Sequence, residues 1–408
     1  MKKIYLCVAA LYLGIVASHA QTTQQVAKDS AYQARKLKVD EVNLVSAYYH
    51  QDGNNSAVTG GIGTEKLTDF ANTFDLQLSR YSLNGHKHTF LFELGVDHYT
   101  SASSDKIDPL SISSASRQDT RVYPSLNWTV SNDKTGNAFG ITGSYSHEFD
   151  YQSFGGGINL TRLSKNKNTQ FDFKATAFLD TWKVILPVEL RPPGYGSGSG
   201  KDERNGGSVD YKPRNSFSTS FSLSQVFTKR FQALLVVEPS YQKGLLATKY
   251  QRDYFTDGTE RVENLPESRY KLPIGVRFNY FLDDHFIIRT FYRYYMDNWG
   301  IRAHTAELEI PVKLTSFVSV SPFYRYNNQV GTRYFKPYGQ HSPTDVFYTS
   351  DYDLSTLTSN FVGANIRLSP PAGIFGWQHF NSLEIRAGHY MRSTGLNSNI
   401  VTLAMKFK

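Results

Sequence analysis

Apolar and polar side chains alternate along most of the chain with a period of two, which is the pattern of β-strands. Clear runs occupy Thr73–Ser79, Thr89–Asp97, Gln170–Asp180, Ser216–Phe227, Tyr270–Leu282 and Phe286–Met296. About sixteen such segments follow one another, most of them near the ~10 residues that a tilted transmembrane strand needs. Strands of soluble proteins are shorter, at about 5 or 6 residues. The pattern predicts an all-β fold, a closed antiparallel transmembrane β-barrel of about sixteen strands.

The lengths of the connections support this prediction. Short turns at Leu83–Lys87, Ser131–Asn137, Ser164–Thr169, Thr228–Arg230, Asp283–His285 and Leu314–Ser316 alternate with long links at Gln51–Leu67, Thr100–Gln118, Lys183–Lys212, Leu245–Glu267 and Asn327–Asp353. Two links on the long side, near Asp150 and at Asp297–Gly300, are short and break the trend. Short periplasmic turns and long outer loops are typical of outer-membrane barrels. An even number of strands then places both chain ends in the periplasm.

The beginning of the chain predicts secretion. Lys2 and Lys3 precede an apolar run at Ile4–Val16, and small residues follow at the two positions that a signal peptidase reads. The run is too short to span a membrane as a helix. We therefore expect a signal peptide at residues 1–20, a polar periplasmic lead-in at residues 21–38 and the barrel at residues 39–408. The one cysteine, Cys7, would leave with the signal peptide, which excludes disulfides and thiolate sites in the mature protein.

Composition agrees with a membrane barrel. The chain holds 27 Tyr and 27 Phe, yet its mean hydropathy is only −0.42. Alternating lipid-facing and lumen-facing side chains keep the mean low, while aromatic residues line both membrane interfaces. Trp128 and Trp377 are expected at the periplasmic rim, and Trp182 and Trp299 at the outer rim. Basic residues are scattered, so the net charge of +8 does not indicate nucleic-acid binding.

Two partners are expected. A membrane barrel implies the lipid of the outer membrane, and the last segment of the chain indicates the barrel-assembly machinery. Val401, Leu403, Met405 and Phe407 alternate to the end of the chain. This arrangement resembles the terminal signal by which barrels are recognised for assembly. Such signals usually end on the aromatic residue itself, whereas Lys408 follows here.

Charged residues of lumen parity are divided between the two halves of the barrel. The acidic wall is expected to contain Asp75, Glu93, Asp97, Glu148 and Asp172. The basic wall is expected to contain Lys271, Arg277, Arg289, Arg293, Arg325, Arg367 and Arg386. Facing each other, the walls would create a transverse field that orients small polar solutes in transit. Equally, these charges would neutralise one another in a packed or plugged interior.

The outer loop Asp52–Glu65 is rich in small and polar residues, and Asp52, Asn54 and Glu65 are its candidate binding residues. It lacks the Gly and Glu spacing of a helix–loop–helix calcium site, which favours a tight loop folded on the barrel mouth. This run, with Tyr99–Asp105 and Ser113–Pro124, resembles the uncharacterised Bacteroidota family known as domain of unknown function 3570. The resemblance implies an outer-membrane location and no known activity or catalytic residues. It also implies periplasmic redox partners, through gene neighbourhoods with a flavin transferase and thioredoxin-like proteins.

Three functions are consistent with the sequence. The first is a porin-like channel or transporter for small polar solutes. The second is a closed barrel whose loops bind a surface or complex partner. The third is a hydrolase at the rim, for which Asp97–His98 and His147–Glu148 are candidate pairs. Adjacent residues on a strand point to opposite faces, so neither pair forms a dyad. His86 and His88 share one face but lie at a turn. No catalytic, cofactor or metal site is therefore predicted.

Overall fold

The computed structural model describes residues 36–100, 118–192 and 210–408. The predicted signal peptide, most of the lead-in and parts of two outer loops (residues 101–117 and 193–209) lie outside the described residues. In chain order the strands are β1 (Lys38–Asp52), β2 (Leu67–Tyr81), β3 (Lys87–Thr100), β4 (Gln118–Ser131), β5 (Ala138–His147), β6 (Tyr151–Leu163), β7 (Thr169–Lys183), β8 (Tyr211–Thr228), β9 (Phe231–Val237), β10 (Ser240–Gly244), β11 (Arg252–Tyr254), β12 (Glu260–Val262), β13 (Ser268–Phe281), β14 (Ile287–Asp297), β15 (Arg302–Glu309), β16 (Val312–Lys313), β17 (Val318–Val330), β18 (Leu357–Leu368), β19 (Phe380–Arg392) and β20 (Asn397–Phe407).

These strands form a closed antiparallel barrel, which confirms the predicted fold. Each strand of the ring pairs with its neighbours in the chain, and β1 also pairs with β20, so that Leu44 lies opposite Met405. Segments β9 and β10 act as one strand, as do β15 and β16, which gives sixteen strands in the ring. The small hairpin β11–β12 stands apart in a loop.

Prolines interrupt the two broken strands. Pro239 separates β9 from β10, and Pro311 separates β15 from β16. Proline has no N–H to donate, so one hydrogen bond between the strands is missing at each proline. Its carbonyl group can still accept a hydrogen bond from the neighbouring strand. The Thr219 N–H donates to the Pro239 carbonyl at 3.0 Å, and the Ile287 N–H donates to the Pro311 carbonyl at 3.0 Å. The wall therefore stays continuous across both interruptions.

Side-chain parity separates the two faces of the wall. Large exposed apolar side chains, such as Phe70, Phe92, Phe154, Phe221 and Val362, share one parity along the ring. The opposite parity faces the lumen. Contacts between strands that are not neighbours lie on this concave face, as where Arg386 of β19 reaches Glu309 of β15 at 3.2 Å. The alternation predicted from the sequence is thus the division between outside and lumen.

The two ends of the barrel differ. Seven connections, most of them short, close one end, the turn end, and both ends of the described chain lie there. The longest of these connections, residues 369–379, contains a 3-10 turn at Ile374–Gly376. Eight connections lie at the other end, the loop end, and the 3-10 turns Ala57–Thr59, Val188–Leu190 and Tyr352–Leu354 are among them. Within the described residues, no helix is both long and apolar enough to cross a bilayer.

The loop end has a packed core of its own. Leu246, Ala247, Leu265 and Trp299 are buried together, with Tyr334 and Leu354 packed against them. Trp299 is only 2% exposed, and its indole N–H donates to the Ser268 carbonyl at 3.0 Å. Trp299 therefore lies at the loop end and packs inside the loops, and the sequence pattern alone did not indicate this burial.

Candidate functional site

The predicted acidic wall lies on the inward parity of the first half of the ring. Asp75 is on β2, Glu93 and Asp97 are on β3, and Asp172 is on β7. Tyr123 donates to Asp97 at 2.9 Å, and Thr161 donates to Asp172 at 2.7 Å. Glu148 lies just after β5 and accepts a hydrogen bond from Tyr99 at 2.6 Å. Three of these five carboxylates therefore accept hydrogen bonds from neighbouring side chains.

The predicted basic wall lies on β13, β14, β17, β18 and β19, again on the inward parity. Its members are Lys271, Arg277, Arg289, Arg293, Arg325, Arg367 and Arg386. Glutamates of β15 pair with three of them: Arg289 with Glu309 at 2.8 Å, Arg325 with Glu307 at 2.5 Å and Arg386 with Glu309 at 3.2 Å. Within the described part of the chain, Arg293 and Arg367 have no acidic partner within 4 Å, and both are exposed in the lumen.

The two walls lie on opposite sides of the ring. Counting β9 with β10 and β15 with β16 as single strands, β2 and β3 occupy the second and third positions, and β13 and β14 the tenth and eleventh. Strands eight places apart face each other across a sixteen-stranded ring. The middle of the acidic arc (β2 to β7) and the middle of the basic arc (β13 to β19) are thus separated by half the circumference, while the edges of the two arcs are three ring positions apart.

Aromatic rings on the inner wall lie over glycines of neighbouring strands. An added Cβ would meet the ring at 2.0 Å for Gly95 under Tyr123, 2.7 Å for Gly155 under Phe178, 3.2 Å for Gly275 under Phe291, 2.6 Å for Gly363 under Phe323 and 2.6 Å for Gly388 under Phe361. Arginines cover most of these rings: Arg121 lies over Tyr123, Arg277 over Phe291, Arg386 over Phe323 and Arg325 over Phe361. Phe178 is the member of this set without such a cover among the described residues.

Loops from opposite sides of the ring meet over the lumen at the loop end. Arg252, in the loop between β10 and β13, is 1% exposed. Its guanidinium binds Glu189 at 2.6 Å, Glu260 at 3.2 Å and the Val58 carbonyl at 2.8 Å. Val58 belongs to the loop between β1 and β2, eight ring positions away. We call the four connections that meet here (residues 53–66, 184–192, 245–267 and 331–356) the cap.

Buried acidic side chains hold the cap together. Thr349 donates to Glu263 at 2.6 Å, and the Thr248 N–H donates to the same carboxyl at 2.5 Å. Burial raises the pKa of Glu263 to about 8 and those of Asp253 and Asp351 to about 7. Desolvation disfavours the charged form, so Glu263 is mostly protonated at neutral pH and the two aspartates ionise only near pH 7. The strand pattern did not predict this cluster, although the apolar and aromatic content of Leu245–Phe255 was a signal that the loop is packed.

The cap also contains a serine, a histidine and an aspartate in close sequence. The Nε2 atom of His341 lies 3.2 Å from Ser350 Oγ, and its Nδ1 atom lies 3.7 Å from Asp345. A histidine between a serine and an aspartate is also the arrangement of the catalytic triad in many hydrolases. However, Ser350 donates its proton to the Lys336 carbonyl at 2.9 Å, and both Ser350 and His341 are buried. Neither feature suits a nucleophile that must meet a substrate, so the three residues serve the packing of the cap.

In each candidate pair at the rim, the two side chains lie on opposite faces of the wall, as expected for adjacent residues. His98 bonds Thr120 at 2.8 Å on the outer face, whereas Asp97 bonds Tyr123 on the inner face. His147 stacks with Tyr145, while Glu148 bonds Tyr99. In the residues that the structure describes, no group of three or more His, Asp or Glu could hold a metal ion.

The loop after β1 separates its three candidate residues. Asp52 and Asn54 are exposed, whereas Glu65 is half-buried within 4.0 Å of Arg392. Burial raises the pKa of Glu65 to about 7, and Arg392 opposes that rise. The Glu65 N–H donates to the Gly53 carbonyl at 2.8 Å, which closes the loop on itself. These contacts hold the loop in the cap and do not bring the three side chains together around a ligand.

Solved structures with a similar course of the chain include barrels from Pseudomonas aeruginosa. The ferric enterobactin receptor PfeA has 9% sequence identity and a TM-score of 0.44, over 86% of this chain and 54% of the receptor. The chain thus spans about half the length of that receptor. OccK1 (OpdK) has 7% identity and a TM-score of 0.41, and OccK9 (OpdG) has 12% identity and a TM-score of 0.38. Each of these two matches covers 91% of this chain and 98% of the other.

The sequence itself identifies the family. No curated protein matches the chain. The profile described as "Protein of unknown function (DUF3570)" matches residues 6–373, which include both walls apart from Arg386 and all of the cap. The chain therefore belongs to the protein family of unknown function DUF3570.

Proposed function

We propose that the protein is a channel of a bacterial outer membrane, through which small polar solutes pass between an acidic and a basic wall. The observation that carries this proposal is the opposition of the two arcs across a closed ring. Several guanidinium groups of the basic arc, Arg277, Arg293 and Arg367 among them, are exposed inside the barrel. Charged side chains that are neither buried nor fully paired imply water in the lumen, because burying an unpaired charge is costly.

The membrane arrangement follows from the same features. The outward parity forms an apolar band that suits lipid, and the aromatic Trp128 and Trp377 lie toward the turn end. Short turns face the periplasm in barrels of this class. We therefore place the turn end, with both chain ends, in the periplasm and the cap at the cell surface. A cleaved signal peptide at residues 1–20, assembly by the barrel machinery, a Bacteroidota origin and periplasmic redox partners stay predictions.

A second function is favoured by the cap. Loops that meet across the ring and share a buried core would restrict the mouth, as expected of a closed barrel that binds a surface or complex partner. This alternative predicts a folded barrel with little or no ion conductance. The rim hydrolase receives less support, because the two members of each candidate pair, Asp97–His98 and His147–Glu148, contact different partners on opposite faces of the wall. The other serine and histidine that lie close together, Ser350 and His341, are buried in the cap.

Planar-bilayer recording tests the proposal. The chain without its predicted signal peptide is refolded, and single-channel currents are recorded under a salt gradient. We expect stable conductance steps. Because Arg293 faces the lumen without an acidic partner among the described residues, Arg293→Glu should shift the reversal potential toward cation preference. Arg302→Glu is the control, since Arg302 lies on the outward parity of β15.

The two functions give different results in this assay. A correctly folded barrel that never conducts would refute the channel and favour the closed, partner-binding barrel. Conductance with an unchanged reversal potential in Arg293→Glu would leave the channel standing and refute the transverse field.

A further inference from the structure

The acidic half of the lumen contains a recess in its wall. It has a volume of about 480 Å³ and is bounded by strands β3 to β8. Most of the residues that line it carry a hydroxyl group, Ser144, Ser153, Thr176 and Ser216 among them. Its charged members are Glu93, Asp180, Arg121 and Lys174, two acids and two bases. We call this recess the alcove. Its volume falls in the range of small-molecule sites, about 300–1,000 Å³.

Phe178 contributes an aromatic ring to the lining of the alcove. The ring lies over Gly155, where an added Cβ would come within 2.7 Å of it, and the side chain is 38% exposed. The other inward rings that lie over glycines are each covered by an arginine, whereas Phe178 has no such cover among the described residues. One face of this ring is therefore held by the wall, and the other is presented to the alcove.

Asp180 supplies an acceptor beside that ring. It follows Phe178 by two residues on β7, so both side chains lie on the same face, about 7 Å apart along the strand. Asp180 is only 6% exposed; its Oδ2 accepts from Tyr151, while its Oδ1 has no hydrogen-bond partner in the described part of the chain. A buried carboxylate oxygen without a donor is costly, and a bound donor would remove that cost. Ser216, opposite Phe178 on β8, adds a hydroxyl at the side of the ring.

We propose that the alcove binds a neutral carbohydrate, with one sugar ring stacked on Phe178 and one of its hydroxyl groups donating to Asp180. A pyranose has an apolar C–H face that suits an aromatic surface and a rim of hydroxyls that suits carboxylate and serine partners. The equal numbers of acids and bases in the lining favour a solute without net charge. This inference rests on the proposed channel and deepens it, because it names a class of solute that the lumen would carry.

Maltotriose is the probe in two independent assays. In single-channel recording, its binding should interrupt the current through the wild-type barrel, while a polyethylene glycol of similar mass should not. In detergent, the variant Phe178→Trp keeps a stacking ring and adds a fluorophore, so its emission should change with a saturable dependence on maltotriose. The fluorescence assay does not depend on conduction.

Three variants test the residues. Phe178→Ala should weaken binding about tenfold, as expected when a stacked ring is lost. Asp180→Asn should also weaken it, because the amide is a poorer acceptor than the carboxylate. Phe154→Ala is the matched control, since Phe154 is an exposed ring on the adjacent strand that faces outward. The affinity of this control should equal that of the wild type.

The outcomes separate this inference from the channel. Conductance without interruption, together with unchanged emission of Phe178→Trp, would refute the alcove and leave the channel standing. Interruption that persists in Phe178→Ala would place the sugar elsewhere and also refute it. Saturable fluorescence binding in a barrel that does not conduct would support the alcove and refute the channel.

Discussion

The stability of the closed cap depends on pH through its buried carboxyl groups. Glu263 is enclosed by the cap, and besides its burial the nearby Asp351 and Asp253 oppose its ionisation. Lys249 donates to the Glu263 main-chain carbonyl at 2.8 Å, and burial lowers the pKa of its ammonium group. The cap therefore holds Glu263 in its protonated form by excluding water, and no cation pairs directly with its carboxyl group among the described residues.

The proton on Glu263 should make the cap sensitive to pH. Glu263 has an ordinary pKa of 4.5 in the open loop and a pKa of about 8 in the closed cap. The closed cap binds more protons in that window, so its stability falls as pH rises from about 5 and is lowest above about 8. Hydrogen exchange in residues 245–267, corrected for its intrinsic rate, should be faster at pH 9 than at pH 6.

Two substitutions check the assignment to Glu263. Glu263→Gln keeps the shape and cannot ionise, so it should reduce the pH dependence of exchange. Glu267→Gln, at an exposed position of the same loop, should leave it unchanged. An equal pH dependence in wild type and Glu263→Gln would show that another group controls the cap.

At the residue scale, the sequence predicted where side chains face but not which partners they find. Arg277, Arg289 and Arg293 were placed in the lumen because period-two alternation fixes the face of every residue on a strand. Whether a lumen charge is paired depends on strand register, which brings Arg289 opposite Glu309. Register between strands is not contained in the pattern of one strand. Neutralisation of the wall charges was an alternative from the sequence, but which arginines of the basic wall are paired was not predictable.

The cap is the element in which local sequence was least informative. Its loops lack a periodic pattern, yet the structure brings Arg252 to partners 63 and 194 residues away, Glu189 and Val58. Such contacts depend on the closure of the ring, because only closure brings the first and ninth strands to face each other. The alternation of long loops and short turns was predictable from the lengths of the connections between strands. The contact between loops over the lumen was not.

Arg252 should control how tightly the cap closes. Its replacement by alanine leaves two glutamates and a carbonyl without their shared partner, and removing one member of a buried ion pair costs about 3–5 kcal/mol. The cap should loosen, so Arg252→Ala should increase single-channel conductance and expose residues 245–267 to protease. The barrel itself should remain folded, because its strands do not depend on this side chain.

Arg261→Ala provides the comparison within the same hairpin. Arg261 contacts the Pro343 carbonyl at 3.3 Å and is less buried than Arg252, so its loss should have a smaller effect. Equal conductance in wild type and Arg252→Ala would mean that the cap does not restrict the mouth.

The whole molecule depends on one pairing between the two ends of the chain. Strand β20 pairs with β19 on one side and with β1 on the other. Every other pairing in the ring joins strands that are consecutive in the chain, apart from those of the two interrupted strands. The final strand therefore has a role in closure that no internal hairpin shares.

Removal of β20 should prevent closure of the barrel. Deletion of residues 397–408 leaves β1 and β19 with unpaired edges, and we expect no folded band that resists detergent in a gel without heating. Deletion of Lys408 alone is the control. Phe407 stacks on Phe380 at 4.7 Å and remains in that variant, so the barrel should form. A folded band from the longer deletion would contradict the need for closure by β20.

Closure by the first and last strands also sets the order of folding. Hairpins between consecutive strands have low contact order and form without a large loss of chain entropy. The pairing of Leu44 with Met405 is different, because it closes a loop of nearly the whole chain. Until it forms, the protein is an open sheet with two free edges, which is a template for aggregation. The slowest step of folding and the most vulnerable intermediate should therefore coincide at this one seam.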